Sequence, residues 1–183
     1  MELVVPALVH LEQYADALRR GWSPDNIRLA VAAAEELQDI ALDPAAFVAS
    51  MDNREARGGP LTLPDGTQVK RLPGYRRWMW DGEFCGSIGF RWQPGTSALP
   101  EHVLGHIGYA VVPWKRRRGY ATRALALMLA EARREGLDSI EVTTDHDNEP
   151  SQKVILANGG QLVGRFRPQG YADKDHLRFR ILL

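Results

Sequence analysis

The sequence predicts a mixed α/β (α+β) domain built on one sheet, and three observations carry that reading. The first third of the chain places apolar residues at helical spacing. The middle alternates as a meander punctuated by Asp81-Gly82. After Pro113 the period changes again, giving helix, strand, helix and two closing strands.

In order along the chain, residues 3–7 read as a short apolar strand. Residues 8–20 read as a helix, with Leu8, Leu11, Tyr14, Ala15 and Leu18 on one face. Ser23 and Asp25 are cap residues for a second helix carrying Ile27, Leu29, Ala30, Ala33 and Leu37 and ending before Leu42-Asp43-Pro44. A third helical piece follows Asp43, with Pro44 in its first turn. Residues 54–66, rich in glycine, proline and charge, read as loop. Residues 76–81 and 84–92 form a hairpin pair around a two-residue Asp81-Gly82 turn, and residues 103–112 make the third strand. Residues 121–135 carry Ala124, Leu125, Met128, Leu129 and Ala132 on one face, with Gly136 at the C-terminal cap. A strand at 139–143, a helix capped by Asn148 and ended by Asn158-Gly159, and strands at 161–167 and 176–182 complete the order.

The chain has 183 residues, which fits one domain over 1–183. Hydrophobic residues make up 44% and charged residues 25%, the balance of an ordinary globular protein. Lys+Arg and Asp+Glu both number 23, so the formal net charge is +0 and neither nucleic acid nor an anionic membrane is an expected partner. Any anion site must come from local clustering. The single cysteine, Cys85, lies in a strand pattern with no activating neighbour and reads as a buried thiol. The start of the chain lacks a basic segment followed by a long apolar run, so a cytoplasmic location is expected.

The informative junction is Val111-Val112-Pro113-Trp114-Lys115-Arg116-Arg117-Arg118-Gly119-Tyr120-Ala121, where a strand ends and a helix begins. A helix start leaves about four N–H groups without intrahelical partners and carries roughly half a positive charge. It is therefore an anion site in waiting. Gly119 and Ala121 keep side chains out of the way, and Lys115 with the arginines raises the local potential. Neither G-x-x-x-x-G-K-[ST] nor G-x-G-x-x-G is present.

Arg116-x-x-Gly119-x-Ala121 after Val111-Val112-Pro113 resembles the [RQ]-x-x-G-x-[GA] turn of GNAT N-acetyltransferases. The strings HIGY, RRxGYA and ANGG resemble a bacterial subgroup of that family, and Asn148-x-x-Ser151 with Asn158-Gly159-Gly160 resembles its following helix. The resemblance implies a mostly antiparallel central sheet with helices on both faces and a splayed strand pair holding the cofactor. It implies a mainly helical acceptor-side region over 1–60 and an acyl-CoA-binding core over 100–165. Acetyl-CoA is then the expected co-substrate, with no metal. Its pyrophosphate would lie on the backbone of Arg116, Arg117, Arg118, Gly119, Tyr120 and Ala121, its pantetheine on Val111, Asn148 and Ser151. The acceptor would be a small-molecule or peptide amine, and a homodimer is an open option for the assembly.

The family's chemistry is direct attack of an amine on the thioester. An acceptor such as a lysine amine, with a pKa of about 10.4, must first lose a proton. Candidates for proton handling are His106, Glu141 and Tyr171, with Glu101, Asp145 and Tyr109 behind them. Ile155 stands where many members carry the tyrosine that reprotonates the thiolate. Asp145-His146-Asp147 reads as loop and not as a metal site. Trp78, Trp80, Trp92 and Trp114 are core, interface or acceptor-pocket candidates. The competing reading is an acyl-CoA-binding module without turnover; a nucleic-acid-associated protein is disfavoured by the zero net charge.

Overall fold

The structure, a computed structural model, describes residues 1–63, 66–167 and 174–183. These form two compact units, each assembled from separated stretches of chain. The first comprises Met1–Asp52, Tyr75–Gly89 and Tyr109–Leu127; the second comprises Asn53–Gly74, Phe90–Gly108 and Met128–Leu183.

The first three helices bury apolar residues read from the sequence, and a side-chain cap closes the start of one of them. Helix α1 (Leu8–Arg19) buries Leu11, Tyr14, Ala15, Ala17 and Leu18. Helix α2 (Leu29–Leu42) follows a turn in which Asp25 Oδ1 accepts from the N–H groups of Ile27 and Arg28 at 2.8 and 2.9 Å. Asp25 therefore caps that turn, and the helix starts only beyond it, at Leu29, whose φ is +39°. Helix α3 (Pro44–Ser50) is capped by Asp43, whose Oδ1 accepts from Ala45 and Ala46 at 3.0 and 2.9 Å.

Strands β1 (Glu2–Val4), β5 (Gly74–Trp80), β6 (Phe84–Arg91) and β7 (Ile107–Val111) lie side by side in that order, with β2 (Asp52–Asn53) also on β5. Strands β3 (Leu61–Thr62), within the stretch read as loop, and β4 (Gln68–Val69), just beyond it, form a small antiparallel pair. The hairpin between β5 and β6 turns through residues 81–83, closed by Asp81 N–H to Glu83 C=O at 3.2 Å; it is one residue longer than Asp81-Gly82 alone suggests. Helix α4 (Tyr120–Arg134) buries Ala124, Leu125, Met128, Leu129 and Ala132, the face read from the sequence.

Strands β8 (Ser139–Asp145), β10 (His176–Leu182) and β9 (Gln161–Phe166) form a separate antiparallel sheet in that order. Val142 faces Phe179 and Ile140 faces Ile181 across it, all of them buried. Helix α5 (Glu149–Leu156) has Asn148 as its N-cap, as expected. The single sheet expected from the element order is thus divided: β7 ends one sheet and β8 ends the other. The third strand is also shorter than 103–112 because Val103 turns back on Pro100 and His106 N–H goes to Glu141 C=O at 2.8 Å, not to β6.

Aromatic packing holds the first unit's core. Tyr14 stacks on Trp78 at 4.6 Å and 15°, while Phe84 and Trp22 meet Tyr14 edge-on. At its rim Tyr14 donates to Glu36, which also accepts from Arg76 at 2.7 Å. Burial first, and then the Glu36 charge, push the Tyr14 phenol well above its usual range. Trp78 is fully buried at the centre of this cluster, whereas Val9 is 83% exposed. Replacing Trp78 by Ala should lower the unfolding free energy by about 3–5 kcal/mol. Val9→Ala should change it by less than about 0.5 kcal/mol, both measured by urea denaturation.

Candidate functional site

Backbone alternation on β7 decides which groups its free edge offers. Val112 N–H bonds Cys85 C=O on β6 at 3.0 Å. Residues of the same parity face β6, so Tyr109 and Val111 direct their N–H and C=O groups to the opposite edge. Both outward carbonyls carry side-chain donors: Asn26 Nδ2 lies 3.4 Å from Tyr109 C=O, and Arg116 Nε lies 3.2 Å from Val111 C=O.

Beyond Val111 a single 3₁₀ turn, Pro113–Lys115, leads into the basic segment. Arg116 is extended, with φ −65° and ψ 163°, and then Arg117 and Gly119 take positive φ, +64° and +74°. A non-glycine residue in that region is uncommon and marks a special turn. Left-handed residues interleaved with right-handed or extended ones turn successive N–H groups toward one side, the geometry of an anion-binding nest. The nest runs straight into the N-terminus of α4, where Arg123 N–H makes its bond to Gly119 C=O at 3.0 Å. Arg116, Arg117 and Arg118 are exposed around it. A Cβ on Gly119 would meet nothing within 4 Å, so in this structure the glycine serves the backbone conformation, not a crowded contact.

Lys115, grouped with the arginines in the sequence, behaves differently. Its side chain is 7% exposed, and its Nζ sits 2.9 Å from Asp81 Oδ1 and 2.9 Å from Glu83 Oε1. Tyr120, on the far side of the turn, donates its hydroxyl to the same Asp81 carboxylate. Neither Asp81 nor this pairing was visible in the local pattern, where Asp81 reads only as a hairpin residue. Cys85 is buried beside them, and burial, followed by the Asp81 contact, pushes its thiol up to about 12, which leaves it protonated and inert at neutral pH.

In the second unit His106 and Glu141 come together. His106 N–H donates to Glu141 C=O at 2.8 Å, and Glu141 N–H donates back to His106 Nδ1 at 2.9 Å. Gly105 permits the approach: a Cβ there would stand 3.0 Å from Glu141 O. With Nδ1 accepting, the neutral ring carries its proton on Nε2, a fully buried atom with no hydrogen-bond partner in the described structure. Burial pushes the imidazole down to about 4 against the opposing effect of Glu141. The Glu141 carboxylate itself lies 2.9 Å from Arg180 and 3.5 Å from Arg178.

Asn148 Oδ1 accepts from Ser151 N–H at 3.2 Å, joining the two residues of the downstream motif as cap and first turn. Ile155 is fully buried. Asp145 and Asp147 lie 3.9 and 3.5 Å from Lys174 Nζ, and among the described residues no group of His, Cys, Asp or Glu is arranged to hold a metal. Tyr171 lies outside the described residues. Trp78 is core, Trp92 stacks on Phe90 at 5.1 Å, and Trp114 lies under the Arg20 guanidinium at 3.5 Å. Trp114 joins Glu12, Asp16, Glu83 and Phe84 around a groove of ≈ 410 Å³. No helix among the described residues is long and apolar enough to cross a membrane.

Comparison with known proteins agrees with this architecture. Among curated proteins none matches the chain. Solved structures of the same fold do. RimL, a ribosomal L7/L12 alpha-N-protein acetyltransferase in complex with coenzyme A, matches with a TM-score of 0.63 and 14% identity over 99% of this chain and 93% of its own. The microcin C7 self immunity acetyltransferase MccE, in complex with acetyl-CoA and AMP, gives 0.62 and 13% over 99% and 91%. Mycobacterium smegmatis RimJ gives 0.62 and 19% over 98% and 85%. The family model of the acetyltransferase (GNAT) domain matches residues 20–161, most of the sequence, and the chain belongs to the GNAT acetyltransferase family.

Proposed function

We propose that this chain transfers an acetyl group from acetyl-CoA to an amine, borne by a small molecule or a peptide, by direct attack while both substrates are bound. The observation that carries the donor half is the turn at 116–121: left-handed Arg117 and Gly119 lead into a helix N-terminus ringed by exposed arginines. In a protein of zero net charge, this is where a diphosphate finds concentrated positive potential and backbone donors together. Backbone N–H groups over Arg116, Arg117, Arg118, Gly119, Tyr120 and Ala121 take the pyrophosphate. Pantetheine amides pair with the outward N–H and C=O of Val111, exchanging with the Arg116 Nε contact now made there.

The hydrogen bond from Glu141 N–H to His106 Nδ1 supports reading His106 as a neutral donor through Nε2, in place of a base. Glu141 then acts through its main chain, fixing the tautomer, while its carboxylate stays with Arg178 and Arg180. Asn148 and Ser151 shape the start of α5, and Tyr171 is the phenol offered for reprotonating the departing thiolate. Buried Ile155 in the family's tyrosine position favours a second reading, an acyl-CoA-binding module without turnover.

Thiol release measured against a panel of amines separates these readings: turnover with at least one amine is expected, and tight coenzyme A binding with none would leave only the second. Gly119→Trp should abolish acetyl-CoA binding in calorimetry with the circular dichroism spectrum retained; unchanged affinity would remove the turn from the donor site. Ala at the same position isolates the backbone strain, of about 1–2 kcal/mol. The depressed His106 pKa also fixes a sign. The folded state holds the ring neutral below its unfolded pKa of 6.5, so its contribution is intact above about pH 6.5 and is lost as pH falls toward 4. That loss amounts to about 3 kcal/mol. In His106→Asn, which keeps an acceptor for Glu141 N–H but does not titrate, this part of the pH dependence should disappear from urea unfolding curves.

A further inference from the structure

We propose that Asp81 is a positioning residue for the donor: its carboxylate latches the residues on either side of the anion turn and so sets the turn's shape. The proposal rests on the donor reading of residues 116–121 given above.

Lys115 stands immediately before the turn and Tyr120 opens the helix after it. Both reach the same carboxylate on the β5–β6 hairpin, Lys115 Nζ at 2.9 Å from Oδ1 and 3.3 Å from Oδ2, and Tyr120 through its hydroxyl to Oδ2. The segment between them contains both left-handed residues, Arg117 and Gly119. A strained turn persists only where its surroundings over-determine it. Here its ends are tied to one point on another pair of strands.

The burial of Lys115 makes the latch obligatory. An ammonium whose side chain is 7% exposed has to be paired, because leaving it uncompensated costs several kcal/mol. Asp81 and Glu83, both on the hairpin, supply the pairing. A Lys115 that swung toward a phosphate would strand the Asp81 carboxylate, so its charge belongs to the hairpin and not to the ligand. The phosphate-facing charge is left to the exposed arginines and the backbone. The hydrogen bond from Tyr120 and the Lys115 charge also hold the Asp81 carboxyl well below the usual carboxylate range, so the latch stays ionised at neutral pH.

Hydrogen–deuterium exchange on the full chain tests the latch without any ligand. Asp81→Asn should accelerate exchange of the amides at 116–121 relative to wild type; unchanged exchange overturns the latch whatever the protein does with coenzyme A. Kinetics test the link to the donor. Asp81→Asn should raise KM for acetyl-CoA about tenfold, as for one lost charge-assisted hydrogen bond, while kcat at saturating donor and KM for the amine stay within about twofold. Tyr120→Phe, a milder change that spares the buried ion pair, should raise the same KM about threefold. Combining both should add little beyond Asp81→Asn alone, because they remove one shared contact. Faster exchange with an unchanged donor KM would overturn the positioning role while leaving the latch. A wild-type protein that fails to bind coenzyme A in calorimetry would instead overturn the donor reading, and the exchange result would still decide the latch.

Discussion

Among the described residues strand β7 has a ladder partner along one edge only, and the rest of the candidate site depends on that constraint. On the β6 side Val112 bonds Cys85, and parity then sends the main-chain groups of Tyr109 and Val111 outward. An edge of this kind is a template for another extended chain, which proteins normally blunt or cover. Here Asn26 and Arg116 supply single side-chain donors to the two outward carbonyls. Each outward carbonyl is thus met by one side chain and not by a strand ladder.

Where the strand ends, electrostatics takes over. The chain is neutral overall, yet it places Arg116, Arg117 and Arg118 in succession at a helix start. The structure divides this basic cluster by burial. Lys115 is withdrawn into ion pairs with Asp81 and Glu83, and the arginines remain exposed around a backbone nest. Burial makes the difference: an ammonium out of water must be paired, whereas an exposed guanidinium stays solvated without an ion-pair partner.

Much of this was legible beforehand because it is local. Asp43 before Pro44, Asn148 before Pro150 and the apolar face of α4 each follow from a few adjacent residues, and each stands where the pattern puts it. The readings that shifted depend on distant partners. The third strand shortened because His106 N–H found Glu141, 35 residues away, and the hairpin loop lengthened by Glu83, whose carbonyl closes it. Residues 61–62 and 68–69 pair although each strand is too short to show a period.

Taken alone, the amino-acid sequence determined the element order, the basic turn at a strand-to-helix junction and the family resemblance, all of which reside in contiguous residues. The tertiary structure decided three matters that contiguous residues do not contain. It assigned Lys115 to Asp81 and Glu83, it occupied His106 Nδ1 with the Glu141 amide, and it gave β7 and β8 to separate sheets. Each of these turns on whether a polar group is buried and which distant group then satisfies it, and burial is a property of the folded chain.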